Sequence, residues 1–209
     1  MSPINPWQEI PLADYEAHMR SEAVGQAAAL GELFGEVLEL RKPASVAVLG
    51  VAGGNGLERI DSSRTQRIVG LDLNPDYISA VHERFAEMAG LELYAIDLAK
   101  QTVALTPVEL VHSALVFEHA GLGRCLENAL ALMVPEGALS VVVQMPSTQS
   151  QGVGSSGVVS ITKLSSQFNL VDPAALSRTL AERGLHLVHE NTYPVPAGKR
   201  LWLGVFMRG

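Results

Sequence analysis

Four glycines and two acidic residues have the types and spacing that binding a polar small molecule requires. Gly50 ends the apolar run at 45–50, and Gly53, Gly54 and Gly56 follow it closely. Glycine tolerates positive φ and has no Cβ, so the amides of such a turn can contact a ligand. No lysine followed by a hydroxyl residue comes after the last glycine, so a triphosphate-binding loop is a poor fit. The alternative interpretation is an ordinary tight turn between a strand and a helix.

The two carboxylates follow the next two apolar runs. Asp72 lies 72 − 56 = 16 residues after Gly56, near the distance at which an acid meets ribose hydroxyls in nucleoside-binding folds. Asp97 can accept a hydrogen bond from an exocyclic adenine amine, or it is a turn residue without a ligand. Asp72 could instead cap the helix that begins at Pro75, but Asn74 already stands in the capping position, so capping explains Asp72 less well than ligand binding does. The combination predicts an adenosine ligand, and Asp72→Ala should weaken its binding at least tenfold with thermal stability nearly unchanged.

The elements that position these residues alternate between strands and helices. Short apolar runs typical of buried parallel strands occur at 45–50, 67–73, 91–96, 108–114 and 138–145. One or two helices are predicted over 14–40, and the glycine turn is expected to feed another. Helix start signals precede Pro75 and Pro173, and residues 185–208 indicate an antiparallel hairpin. The pattern predicts a doubly wound α/β sheet, whose ligands bind beyond the carboxyl ends of the strands.

Composition narrows the class of protein. The chain has 209 residues, which favours a single domain, and its net charge of −7 without a basic cluster disfavours nucleic-acid binding. Cys125 is the one cysteine, so no disulfide framework can form. No His, Asp or Glu spacing resembles a metal site. The N-terminal residues do not resemble a signal peptide and no run is suited to spanning a membrane, which predicts a cytoplasmic location and no membrane partner.

The sequence resembles the class I S-adenosylmethionine-dependent methyltransferases. The segments that carry the resemblance are "VAVLGVAGGNG" (46–56), "IVGLDLNPDYI" (68–78), "LYAIDL" (93–98), "VELVHSALVFEHAG" (108–121) and "MVPEGALSVVVQM" (133–145). The resemblance implies a Rossmann-like sheet of seven strands in the order 3-2-1-4-5-7-6, with S-adenosyl-L-methionine as cofactor and S-adenosyl-L-homocysteine as its product. It implies methyl transfer to an O, N or C nucleophile of a small molecule by a monomer or homodimer. The cofactor-binding residues that it implies are Gly50, Val51, Ala52, Gly53, Gly54, Gly56, Asp72, Leu73, Asp97, Leu98 and Tyr15.

The single domain is predicted to contain four regions. They are an N-terminal helical cap (1–42), a cofactor-binding core (43–145), a substrate-side loop (146–170) and a C-terminal helix and hairpin (171–209). Residues 147–168 are polar and glycine-rich, which is typical either of a loop that covers the substrate or of a disordered segment. The cap contains Trp7, Tyr15 and His18, of which Tyr15 is expected to contact the ligand and Trp7 to pack the cap onto the sheet.

Three positions bear on the chemistry. His119 follows the fourth strand and is a candidate catalytic base; the alternative is that "FEHAGL" is a structural turn in which Phe117 is buried and the Glu118–His119 pair is solvated. Gly50 stands where the family usually has an acid, and Ala52 where it has its first glycine. Alanine fits there if its backbone is β-type or bridge-like. A catalytically degenerate binding protein and, with poorer glycine spacing, an NAD-dependent oxidoreductase remain as alternatives.

Overall fold

The computed structural model describes residues 5–146, 153 and 156–209. The predicted substrate-side loop at 146–170 is therefore described only in part. Residues 147–152, 154 and 155 of that loop, and residues 1–4 of the predicted cap, lie outside the described residues.

Seven strands form one sheet. They are β1 (Ser45–Leu49), β2 (Arg67–Asp72), β3 (Leu91–Ala95), β4 (Val108–Ala114), β5 (Met133–Gln144), β6 (Leu185–Val195) and β7 (Lys199–Arg208). Their order is β3-β2-β1-β4-β5-β7-β6, and β7 runs antiparallel to both of its neighbours. The predicted doubly wound sheet with an antiparallel C-terminal hairpin is thus confirmed.

Helices cover both faces of this sheet. They are α1 (Leu12–Arg20), α2 (Gln26–Arg41), α3 (Pro75–Arg84), α4 (Phe117–Ala120), α5 (Arg124–Ala131) and α6 (Pro173–Ala181). Successive side chains of a strand point to opposite faces, and β1 shows the consequence. Val46 and Val48 pack in the layer that contains α2, whereas Ala47 and Leu49 pack in the layer that contains α5 and α6. Burial on both faces explains the uninterrupted apolar runs of the sequence.

The predicted helix starts are formed by the expected capping residues. Asn74 accepts a hydrogen bond from the amide of Asp76 at 2.9 Å, and Pro75 occupies the first helical position of α3. Asp172 accepts from the amide of Ala175 at 3.1 Å at the start of α6. These caps satisfy amides that the helix itself leaves without partners.

The helix expected after the glycine turn is missing, and this expectation is wrong. Only a single 3-10 turn, Leu57–Arg59, follows Gly56. The chain then turns at Asp61, whose carboxylate accepts hydrogen bonds from the amide and the hydroxyl of Ser63 at 2.9 and 2.6 Å. Such side-chain bonds compete with helical backbone bonds. Among the described residues, therefore, no α-helix begins at this turn with its N-terminus facing the strand ends.

The first residue of β5 differs from the prediction. β5 begins at Met133, earlier than the predicted 138, because Met133 pairs with Val108 across a register shift.

None of the helices in the described ranges combines the length and the apolar character that crossing a membrane requires.

Candidate functional site

The strand order of the sheet reverses between β1 and β4. A cavity lies there, beyond the carboxyl ends of the strands on both sides of this point. Four strands contribute the residue at or next to their ends, namely Gly50, Asp72, Ala114 and Gln144. This is the place at which open α/β sheets bind ligands. α1 and the segment after β5 cover it.

The structure brings most of the predicted cofactor-binding residues to this cavity. Those that line it are Gly50, Ala52, Asp72, Leu73, Asp97, Leu98 and Tyr15. Val51, Gly53 and Gly54 instead line a second cavity that shares Gly50 and Ala52 with the first. Gly56 is not among the residues lining either cavity; a Cβ there would lie 2.9 Å from the ring of Phe34.

Asp72 is tied to the backbone on both sides. One carboxylate oxygen accepts from the amide of Ala52 at 2.8 Å, and the other accepts from the amide of Asn74 at 2.9 Å. Burial raises the pKa of Asp72 to about 6 despite these bonds. These two bonds lead us to revise the expectation that Asp72→Ala leaves thermal stability nearly unchanged, because the substitution would leave two amides without their acceptor.

The glycine turn combines positive φ values with close packing against neighbouring side chains. Gly50, Gly54 and Gly56 have φ of 66°, 84° and 93°. A Cβ at Gly54 would lie 2.5 Å from the ring of Phe85. Ala52 has φ of 47°, so the expected β-type or bridge conformation is wrong. Its left-handed backbone directs its amide at Asp72, and this costs energy that glycine would not incur.

The second cavity lies against the glycine turn and contains an ion pair that the sequence did not indicate. Glu16 of α1 pairs with Arg84 of α3, and Arg84 donates to the carbonyl oxygen of Gly53 at 3.0 Å. Both side chains line the cavity. A Cβ at Gly53 would meet the charged ends of Glu16 and Arg84, so a side chain there would displace this pair from the turn.

Asp97 lies at the end of the cavity nearest β3. Its carboxylate accepts from the amide of Ala99 at 3.0 Å and pairs with Lys100 at 3.0 Å. Leu98, which is buried, and Leu73 line the same region. This end therefore combines two carboxylates, Asp72 and Asp97, with apolar walls.

Glu118 is buried. The interpretation in which the Glu118–His119 pair is solvated is therefore wrong for Glu118. Its Oε1 accepts from the amide of Gln144 at 2.8 Å, while Oε2 has no hydrogen-bond partner among the described residues. Burial raises the pKa of Glu118 to about 7. The side chain ties α4 to the end of β5. Phe117 is buried, as predicted.

His119 lines the cavity within a group of aromatic rings. Its ring centroid lies 4.9 Å from that of Trp7 and 5.4 Å from that of Phe168. Burial lowers the pKa of His119 to about 4, so the imidazole is neutral near pH 7. Its Nδ1 is buried and has no hydrogen-bond partner in the described part of the chain.

The N-terminal residues form a roof over the cavity. Trp7 and Tyr15 both line it, with ring centroids 5.5 Å apart, and the carbonyl oxygen of Trp7 accepts from Asn74 at 2.9 Å. Ile10 packs against Ile161 in the 3-10 helix Ser160–Ser166. The cap and the chain after β5 thus cover the strand ends together.

A set of polar side chains lines the cavity near the end of β5. His18 Nδ1 lies 2.7 Å from the hydroxyl of Ser156, and Gln26 donates to Gln144 Oε1 at 3.3 Å. Lys199 lies behind Gln144, with its ammonium 3.4 Å from the same oxygen. No group of His, Cys, Asp and Glu side chains among the described residues is arranged to hold a metal ion.

Several residues of the site have no local signal in the sequence. Phe168 meets His119 only because the chain after β5 folds back over the cavity. Glu16 reaches the glycine turn from another helix. Leu115 has φ of 57°, a left-handed backbone that a leucine in the sequence does not indicate.

Comparison with known proteins places this geometry in a recognised fold. No protein-family model and no curated protein matches the sequence. N-methyltransferase NodS from Bradyrhizobium japonicum WM9, in complex with S-adenosylhomocysteine, matches with a TM-score of 0.69 and 15% identity over 98% of this chain and 99% of that one. The chain has the class I methyltransferase fold.

Two further structures show the range of proteins with this fold. Magnesium protoporphyrin IX methyltransferase (ChlM) from Synechocystis PCC 6803, with bound S-adenosylhomocysteine, has a TM-score of 0.65 and 12% identity, covering 89% of this chain and 84% of that one. The [4+2]-cyclase SpnF has a TM-score of 0.66 and 9% identity, covering 86% and 80%. The methyltransferase fold thus also occurs in a protein described as a cyclase.

Proposed function

We propose that the chain is an S-adenosylmethionine-dependent methyltransferase that acts on an O, N or C nucleophile of a small molecule. The observation that supports this most is the position of Asp72. Its carboxylate ends β2, lines the cavity and contacts the turn after β1. In a methyltransferase fold this arrangement suits recognition of a ribose.

The residues at the Asp72 end fit the adenosine half of the cofactor. A carboxylate has about four lone-pair sites, and two of those on Asp72 are used by amides, so it retains capacity for ribose hydroxyls. Asp97 would accept from the adenine amine, and Leu73 and Leu98 would contact the base. Hydrogen bonds from a ribose would favour the ionised form of Asp72 and thereby lower its raised pKa.

Glu16 and Arg84 fit the charged end of the cofactor. The family resemblance implies an acid at the place of Gly50, and Glu16 brings a carboxylate to the same turn from α1. We assign Glu16 to the ammonium and Arg84 to the carboxylate of the methionine half. Both side chains line the second cavity, next to Gly53 and Gly54.

Orientation is the main task of the protein in this proposal. The bound cofactor supplies an electrophilic methyl group on a sulfonium, so holding an acceptor in line with that group supplies much of the rate increase. Trp7 and Phe168 would exclude water and restrict the acceptor. His119 is neutral and can accept a proton, although a pKa of about 4 makes it a weak base.

A catalytically degenerate binding protein is the second candidate. The glycine at position 50, where the family resemblance implies an acid, favours it. An NAD-dependent oxidoreductase fits less well, because the sheet ends in an antiparallel hairpin and not in a second mononucleotide-binding half.

Calorimetric titration with S-adenosylmethionine, S-adenosylhomocysteine and NAD tests these candidates. We expect binding of the first two and none of NAD. The proposal is refuted if neither S-adenosylmethionine nor S-adenosylhomocysteine binds. Selective binding of NAD would support the oxidoreductase. Binding without methyl transfer to any of a broad set of nucleophiles would favour the degenerate binding protein.

The role of Asp72 is tested by changing both partners of the contact. Asp72→Ala should weaken S-adenosylhomocysteine binding at least tenfold, and it should also lower the melting temperature because two amides lose their acceptor. The wild-type chain separates the two effects. We expect it to bind adenosine more tightly than 2′-deoxyadenosine or 3′-deoxyadenosine, and equal affinity for all three would show that Asp72 does not recognise ribose.

A further inference from the structure

The cavity is charged at one end only. Among the described residues that line it, Asp72 and Asp97 are the only ones of the types Asp, Glu, Lys and Arg, and both lie toward β2 and β3. The opposite end, around Val116, His119 and Phe168, is lined by uncharged side chains. A group that binds there receives no opposite charge from the walls.

The titratable side chains at this uncharged end are neutral near pH 7. Burial lowers the pKa of His18 and of His119, and it raises the pKa of Tyr15. The ammonium of Lys199 lies 3.4 Å from Gln144 Oε1 and contributes to the lowered pKa of His18, but Lys199 is not among the lining residues. Burying a charge without a partner is costly, so this end favours an uncharged molecule.

Two polar atoms of the uncharged end have no partner within the described chain, whereas their polar neighbours do. His18, Gln26 and Gln144 are joined to other side chains by hydrogen bonds. The indole Nε1 of Trp7 and the imidazole Nδ1 of His119 have neither a partner nor more than a trace of accessible surface, so a ligand pairs with them only when the Trp7 ring moves away from His119. Buried polar atoms are rarely left unpaired in native proteins, so these two atoms indicate where a ligand's polar group would lie.

The surrounding rings indicate the shape of that ligand. The rings of Trp7 and Phe168 both meet the ring of His119 edge to face, at 4.9 and 5.4 Å between centroids. Leu115, Val116 and Leu164 complete an apolar wall. Aromatic side chains in this arrangement favour edge or offset contacts with another flat ring.

We propose that this end of the cavity binds an uncharged aromatic hydroxyl compound of the phenol class. The hydroxyl oxygen accepts from Trp7 Nε1, and its hydrogen is donated to His119 Nδ1, with the imidazole proton on Nε2. A hydroxyl is suited to this place because one small group satisfies a donor and an acceptor together. Its role as the methyl acceptor rests on the proposed function, but its binding does not.

Equilibrium dialysis of the full chain with 2-naphthol, naphthalene and 2-naphthoate tests the inference. Trp7→Phe keeps an aromatic ring and removes the indole donor. We expect this variant to bind 2-naphthol about three- to tenfold more weakly than the wild type, the loss that one hydrogen bond implies. Naphthalene should bind both proteins equally. Trp202→Phe is the matched control, because that indole donates to Glu190 away from the cavity, and it should change none of the affinities.

The outcomes separate this inference from the proposed function. Equal 2-naphthol affinity in the wild type and Trp7→Phe would overturn the assignment, as would 2-naphthoate binding as tightly as 2-naphthol. On the wild type alone, 2-naphthol must bind more tightly than naphthalene. Each sample is also titrated with S-adenosylhomocysteine. A chain that binds this compound but not 2-naphthol refutes only the aromatic site, and the reverse result refutes only the methyltransferase proposal.

Discussion

Glu118 provides a sharp test of how burial affects this site. Its side chain has no exposed surface, and its one hydrogen bond from another residue's amide comes from Gln144. Burial raises its pKa from 4.5 to about 7. Glu118→Gln keeps the shape and the acceptor oxygen but cannot ionise, so it removes the effect of pH at this position.

The sign and size of the effect follow from linkage. Between pH 4.5 and 7 the folded chain retains a proton on Glu118 that the unfolded chain has lost, so raising the pH across this window lowers the stability of the wild type. Below and above the window the contribution of this group is constant. A difference of about 2.5 between the two pKa values corresponds to about 3 kcal/mol. Asp72 has the same direction of shift, but it is present in both proteins and its contribution cancels in the comparison.

Urea unfolding followed by circular dichroism at several pH values from 4 to 8 measures this effect. The free energy of unfolding of Glu118→Gln relative to the wild type should rise by about 3 kcal/mol across the window. Glu127→Gln, at an exposed position of α5, is the matched control and should show no such rise. A difference between Glu118→Gln and the wild type that does not change with pH would refute the burial argument.

Two further predictions concern the glycine turn. Ala52→Gly should raise the free energy of unfolding by up to about 1 kcal/mol, because relief of the left-handed strain exceeds the entropy that glycine adds to the unfolded chain; a lower urea midpoint would contradict this. Glu16→Gln should weaken S-adenosylhomocysteine binding about tenfold, as loss of a charge-assisted contact implies. Glu32→Gln, which alters a surface pair with Arg59, serves as its calorimetric control, and equal affinity in both variants would remove Glu16 from the site.

Local signals were sufficient for much of the fold. The caps at Asn74 and Asp172 act within a few residues, and the hairpin at 185–208 joins neighbouring segments. Strand ends also place Asp72 and Asp97 correctly at one edge of the sheet, because parallel strands present their carboxyl ends together. Glycine patterning located the turn but not its continuation, since the side-chain bonds of Asp61 replace the expected helix.

The surroundings of both cavities were decided by the tertiary structure. The burial of Glu118, the approach of Glu16 to Gly53 and the contact of Phe168 with His119 all join segments that are distant along the chain. Residue type and spacing report local backbone preference and the alternation of buried faces. Which side chains lose water, and which polar atoms lose their partners, depends on how the cap and the chain after β5 pack over the sheet.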